Sequence, residues 1–385
     1  MRSRTKFLSG GAVFASAALG LALVAPAQAD LAPSANDVVG VGSDTVQNIG
    51  NFLADGDAAL NSAGFNSAGG VNRLVSFDAT PDANDRAGYL NGSATNALKP
   101  LNPTIVLRAG TQPVQRPNGS GAGITALNLD TGRVINFVRS SRLPSSAEQS
   151  TAITKFGAGG LHVVKIATDE LRAAVANTTN APASLTIAQL LGIYKCTTTD
   201  WATVGGSPGT IIPLLPQSGS GTRSTFLADL KAANGGTDIP IGGCLQTVEE
   251  NDPASITGLG ANAANAVAPF SQGRIDLYNS GYFKDPNVAF PNATVITNAG
   301  VKTIIGAGSY DNPRGLYMIY RDADQNSTKK IQPGNAQNFA QALFAPLSGS
   351  PYVAGADGQA AIAAAGGAPT YKDCGAGTGV TTATC

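Results

Sequence analysis

The sequence predicts an α/β fold on three observations. Short apolar runs of strand length recur along the chain. Several lead straight into turns rich in Gly, Ser and Thr, at 42–45, 118–123, 139–142 and 217–223. Apolar residues at helical spacing follow most of these turns. Strand, polar turn and helix in alternation is the pattern of α/β domains, whose ligands gather at the carboxyl ends of the strands.

The elements follow in order. Residues 37–42 read as a buried strand, with Ser43, Asp44 and Thr45 where a helix cap would fall and Val46, Ile49, Phe52 and Leu53 as the apolar face beyond. A strand at 104–107 precedes the glycine-rich turn holding Ser120 and Gly121, and a helix is expected from Ile124. A strand at 134–138 runs into Arg139, Ser140, Ser141 and Arg142. Strands are read at 161–167, 211–215, 266–270 and 315–321. Helices are read at 184–193, with Thr186 near the start, at 224–230, and at 336–343 with Asn335 as the cap. The Ala/Gly-rich stretch 354–368 reads as a loose helix or a linker.

The first 29 residues stand apart. Arg2, Arg4 and Lys6 precede an uncharged apolar run at 10–25, and Ala27-Gln28-Ala29 offers a small-x-small cleavage site before Asp30. This is the pattern of a cleavable secretory signal, and the run is shorter than the roughly 20 residues that span a bilayer. No Cys follows it as a lipid attachment point, so a secreted or cell-wall-associated protein is expected. The chain has 25 basic and 25 acidic residues, and three basic ones lie in the leader. A mildly acidic mature chain argues against nucleic acid as a partner. The four cysteines, in an exported chain, read as two disulfides. Cys196–Cys244 and Cys374–Cys385 are the favoured pairs because each closes a local loop. One His and no Cys-x-x-Cys leave little for a metal site, and no cofactor is expected.

The richest candidate for chemistry is Ser218-Gly219-Ser220-Gly221-Thr222-Arg223. Its glycines allow a ligand close to the backbone. Its hydroxyls donate, the following helix presents its positive end, and Arg223 adds a fork of donors. It lacks the Gly-Lys-Ser/Thr ending of a nucleotide loop. Gly205-Gly206-Ser207-Pro208-Gly209 has the spacing of a hydrolase elbow, but Pro208 has no N–H for an oxyanion hole. His162 sits in an apolar strand and reads as packed. Glu249-Glu250-Asn251-Asp252 reads as a solvated turn, with a Ca²⁺ loop as the weaker alternative.

The Ser218–Thr222 loop resembles the Gly-Ser-Gly-Thr loop of phosphate ABC-transporter substrate-binding proteins. Val41-Gly42-Ser43-Asp44-Thr45, Gly119-Ser120-Gly121-Ala122-Gly123 and Phe137-Val138-Arg139-Ser140-Ser141 resemble that family's first three strand-turns. The segment 193–201 and the strand at 266–271 follow in family order, with an actinobacterial flavour. The resemblance implies a two-lobed type II periplasmic-binding fold with a ligand cleft, one lobe from 31–160 and 281–385 and the other from 161–280. It implies a monomer that takes inorganic phosphate, or a related oxyanion, to the membrane subunits of an ABC transporter. The implied contacts are Ser43, Asp44, Thr45, Ser120, Gly121, Ser140, Ser141, Arg142, Ser218, Gly219, Ser220, Gly221, Thr222 and Arg223. The family's acidic residue in the third turn falls on Ser141 and its Arg before the loop on Pro216. Asp44 is therefore the candidate proton acceptor, and Arg142 or Arg223 the candidate charge. Two alternatives are a secreted phosphatase or esterase with Ser220 as nucleophile, and a surface protein that has lost its ligand.

Overall fold

The longest strand sets the architecture, and its pattern explains why. The computed structural model describes residues 32–57, 62–69, 72–80, 103–283, 294–330 and 337–385; residues 1–29, read from sequence as a leader, and Asn335 lie outside them. Within this chain, Leu161–Ala176 forms one 16-residue strand. Val163 faces one apolar cluster and Val164 and Ile166 the cluster on the opposite side. Farther along, Leu171, Ala173 and Val175 enter a third cluster, and Ala174 and Ala176 a fourth. Alternation with a period of two thus feeds both faces of two separate cores.

Among the described residues the main sheet has ten strands: β1 (Val38–Gly42), β2 (Leu74–Ser76), β3 (Phe137–Ser140), β4 (Leu161–Ala176), β5 (Ile212–Pro216), β6 (Gln246–Val248), β7 (Ala266–Ser271), β8 (Val301–Thr303), β9 (Asp311–Arg321) and β10 (Ala368–Ala376). Their order is β6-β5-β7-β4-β9-β3-β1-β2, with β8 and β10 also paired to β4. β2, β1 and β3 are parallel to one another, as are β6, β5 and β7. The long strands β4 and β9 run antiparallel to each other and join the two parallel groups. The carboxyl ends of β1, β3, β5 and β7 lead into polar turns, and the candidate site forms there.

The helices include α1 (Gln47–Asp55), α2 (Ser120–Leu129), α3 (Ser146–Phe156), α4 (Ile187–Tyr194), α5 (Gly221–Ala233) and α6 (Gln272–Asn279). Thr186 caps α4, accepting the Gln189 N–H. Some details differ from the sequence reading. α2 begins at Ser120, not Ile124, because Gly119, at φ 107°, turns the chain at once into the helix. Thr104–Ile105 pairs with Val114–Gln115 in a small ribbon rather than joining the main sheet. Near the C-terminus, the helix Phe339–Leu343 is capped by Asn338. Residues 354–368 include a helix, Ala356–Ala364, because Ala361 and Ile362 bury against the core.

Both expected disulfides are present, Cys196–Cys244 and Cys374–Cys385, and no cysteine is free. The first spans 48 residues and the second 11. Loop-closure entropy scales with span, so the Cys196→Ser/Cys244→Ser double variant should lose about 4 kcal/mol and the Cys374→Ser/Cys385→Ser variant about 3 kcal/mol. Urea titration of both variants checks the ranking, and a larger loss from the short loop would contradict it.

Candidate functional site

Each wall of the site is built from the end of a strand. β1 ends at Gly42, whose φ of 115° and close packing on the Arg139 carbonyl leave no room for a side chain. The chain then turns through Ser43, Asp44 and Thr45 into α1. β3 delivers Ser140 and Ser141 beside the start of α2. From the other parallel group, β5 leads through Ser218 and Gly219 to Ser220. Ser220 caps α5 by accepting the Arg223 N–H at 2.9 Å. β7 ends at Ser271, which caps α6 by accepting the Arg274 N–H at 3.2 Å. β6 runs parallel to β5, so Glu249, Glu250 and Asn251 emerge beside the α5 start.

These ends converge on a buried polar cluster. Arg314, from β9, donates through Nη1 to the Thr222 hydroxyl at 2.9 Å. Its Nε and Nη2 donate to Asp169 Oδ2 at 3.0 and 2.8 Å, and Ser271 Oγ and Gly273 N donate to the other Asp169 oxygen. Glu250 Oε1 accepts both the Thr222 N–H and the Thr45 hydroxyl at 3.0 Å. Asn251 Nδ2 donates to Thr45 Oγ1 and Asp44 Oδ2. The Thr80 hydroxyl donates to Asp44 Oδ1 at 2.6 Å, and Arg274 Nη2 lies 3.7 Å from the same oxygen. Beside this group, Ser120 Oγ accepts the Ser141 N–H at 2.9 Å, and the two hydroxyls are 3.3 Å apart. Ser43, Asp44, Ser120, Ser141, Ser220 and Thr222 are all fully enclosed.

In the cluster, Ser43 Oγ and Glu250 Oε2 are buried without a hydrogen-bond partner among the described residues. Such atoms are costly unless something else meets them. Burial raises the Glu250 carboxyl above its ordinary range, and the Asp44 charge raises it further. The cluster thus offers hydroxyl and amide donors, the guanidinium groups of Arg314 and Arg274, and the carboxyl groups of Asp44 and Glu250. A small protonated oxyanion uses both kinds of group, since charge-assisted donors bind its oxygens and a carboxylate takes its proton.

The structure brings together Ser43, Asp44, Thr45, Ser120, Ser141, Ser220, Gly221 and Thr222. Ser140 is buried alongside, its hydroxyl donating to the Arg142 carbonyl. The two arginines named from sequence are engaged elsewhere. Arg142 makes a two-pronged pair with Glu148 at 2.8 and 2.7 Å, and Arg223 donates to the Pro216 carbonyl. Gly121 and Gly219 form the seam between the walls, Gly121 N–H donating to Gly219 O at 2.9 Å, with Ser218 on the outer side. The expected solvated turn at 249–252 is corrected: Glu250 and Asn251 are buried, because β6 carries them into the cluster.

Sequence reasoning missed Arg274, Arg314, Asp169, Thr80, Glu250 and Asn251. Arg274 carried a usable signal, since Ser271 follows a buried strand and precedes a helix, as Ser220 does. Arg314 and Asp169 lie on strands paired across the sheet, which no spacing within the sequence displays.

Gly221 is the tightest point between the walls. A side chain there would collide with the hydroxyls of Ser120 and Ser141. Gly221→Ala should prop the walls apart and weaken anion binding by at least about tenfold, with a smaller effect on melting temperature. Unchanged affinity in a binding titration would contradict the packing.

A ring of side chains also crosses the seam. Asn118 Nδ2 and Gln217 Nε2 donate to Glu249 Oε1 at 2.9 and 3.0 Å. Burial pushes the Glu249 carboxyl up to about 7, the Asn118 hydrogen bond pulls against it, and the charges of Asp44 and Glu250 add to the rise. A raised carboxyl binds its proton more tightly in the folded state. Its contribution is therefore complete below the ordinary 4.5 and is lost as pH rises towards about 7. Melting temperature should fall over that window more in the native protein than in Glu249→Gln. Parallel curves for the two would overturn this assignment.

Strand-end turns facing one another across two long strands that join the parallel groups are the arrangement of a periplasmic-binding-type fold. The chain belongs to the PBP superfamily, whose domain matches residues 80–346. Among solved structures, it is similar to a putative phosphate ABC transporter substrate-binding protein with bound phosphate from Clostridium perfringens. Identity is 15%, with 87% of this chain and 100% of that one covered, and the TM-score is 0.51. It is also similar to an ABC-type phosphate transport receptor from Vibrio cholerae, at 17% identity, 86% and 99% coverage and a TM-score of 0.46. No curated protein matches.

Proposed function

We propose that the protein captures inorganic phosphate, or a close tetrahedral analogue, in the cleft between its two walls and passes it to the membrane subunits of an ABC transporter. The observation that carries this reading is the enclosed cluster of Thr45, Ser120, Ser141 and Thr222, with Arg314 on the Thr222 hydroxyl and Ser43 Oγ and Glu250 Oε2 left to be met by something else. In this reading Arg314 and Arg274 supply the charge that Pro216 does not. Asp44 or Glu250 accepts the ligand's proton in place of Ser141. The chain divides into a lobe of 31–160 with 281–385 and a lobe of 161–280, and the long strands β4 and β9 let them close. The signal-like leader and the two disulfides support export. Among the described residues, no helix is long and apolar enough to cross a membrane.

Turnover is not part of this reading. Ser220 Oγ is occupied as a helix cap, and His162, the one histidine, is held by Asp322 and Asp373 at 2.9 and 2.7 Å. A thermal-shift panel of phosphate, arsenate, sulfate and organophosphates tests the proposal. Phosphate and arsenate should raise the melting temperature and sulfate should not. A protein indifferent to every anion would refute it.

A further inference from the structure

Four of the residues named from the sequence, Gly121, Arg142, Ser218 and Gly219, face away from the polar cluster and line a groove of about 940 Å³ on the other side of the seam. Its floor includes Leu107, Val114, Ala126 and Leu129. Val114 and Leu129 remain 38% and 65% exposed although they lie in a concave surface. At one end stand Arg142 and Glu148, which neutralise each other. The far wall is Ser218, Gly219 and Ser224, from the loop and first turn of α5. Pockets of this size, apolar with a few convergent polar groups, are typical of small-molecule sites.

We propose that this groove is a second binding site, for an uncharged, largely apolar organic molecule with a hydrogen-bonding head. The chemistry follows from the lining. The floor offers no charge, and the charged groups of the lining are already engaged: Arg142 with Glu148, Asp130 with Arg321, and Arg116 through Nη1 with the Asp78 carbonyl. The hydroxyls of Ser218 and Ser224 leave a neutral polar edge for the head. The position has a consequence. One wall comes from the α2 side and the other from the α5 side, and they meet at the Gly121–Gly219 hydrogen bond. A molecule lying in the groove touches both walls, so it binds the closed arrangement better and favours closure. This coupling rests on the phosphate reading, whereas the site itself does not.

The test uses the mature protein and N-phenyl-1-naphthylamine, an uncharged fluorescent probe. Saturable one-to-one binding is expected without phosphate, weakened at least about tenfold by Leu129→Lys on the floor and by Ser224→Trp on the far wall. Leu129 is exposed and Ser224 lies on the outer face of α5, so both variants should fold; the urea melt of each reports this directly. Failure to saturate, or binding that neither variant alters, would overturn the site. With phosphate at saturation, probe affinity should rise several-fold. An unchanged probe affinity would overturn the coupling alone, and a separate phosphate titration shows whether the phosphate reading itself has failed.

Discussion

Arg314→Gln should reduce phosphate affinity by roughly 100-fold or more, the scale expected for losing one member of a buried charged contact. Arg314 is the guanidinium placed directly on the hydroxyl cluster, through Thr222 Oγ1, and it is anchored from behind by Asp169. The substitution also leaves Asp169 as a buried carboxylate without its ionic partner, at a cost of about 3–5 kcal/mol in stability. Lost folding could therefore be mistaken for lost binding. The paired variant Arg314→Met/Asp169→Leu separates the two, because removing both charges together restores much of the stability without restoring the donor. Urea melts should show that recovery, while titration should still show no tight phosphate binding. Near-native affinity in the paired variant would mean that Arg314 does not touch the ligand.

Asp44→Asn should act on selectivity more than on fold. Asp44 is fully enclosed and accepts from Thr80 and Asn251. It stands beside Glu250, whose raised carboxyl already holds its proton more readily than an ordinary glutamate. A carboxylate in this position accepts a proton from phosphate but meets only repulsion from sulfate, which carries none at neutral pH. The amide removes that repulsion. Phosphate affinity should drop at least about tenfold and the preference over sulfate about 100-fold, close to 3 kcal/mol in discrimination. Competition between the two anions measures this. If Asp44→Asn kept native phosphate affinity and still refused sulfate, Glu250 would be the proton acceptor instead, and Glu250→Gln would show the effect.

The parts of the site legible in the sequence share one property: they are local. Ser43, Ser120, Ser141 and Ser220 each lie at a strand end followed by a helix or turn, so a few consecutive residues reveal them. The disulfides were legible because short loops limit the partners. What stayed hidden depends on sheet order. Arg314 and Asp169 are 145 residues apart and meet only because β9 pairs with β4 in one register. Glu250 read as a surface acid because an acidic run usually is one, and only the parallel pairing of β6 with β5 buries it. Arg142 and Arg223 were reasonable choices on proximity in sequence. Closer acceptors, Glu148 and the Pro216 carbonyl, hold them away.

Titration calorimetry on unfolded, washed and refolded protein tests the central claim most directly. Phosphate should bind once per chain with micromolar or tighter affinity, sulfate should give no heat, and Arg314→Gln should weaken phosphate binding by roughly 100-fold or more. Absence of heat with phosphate, in protein whose melting curve shows it folded, would contradict the account.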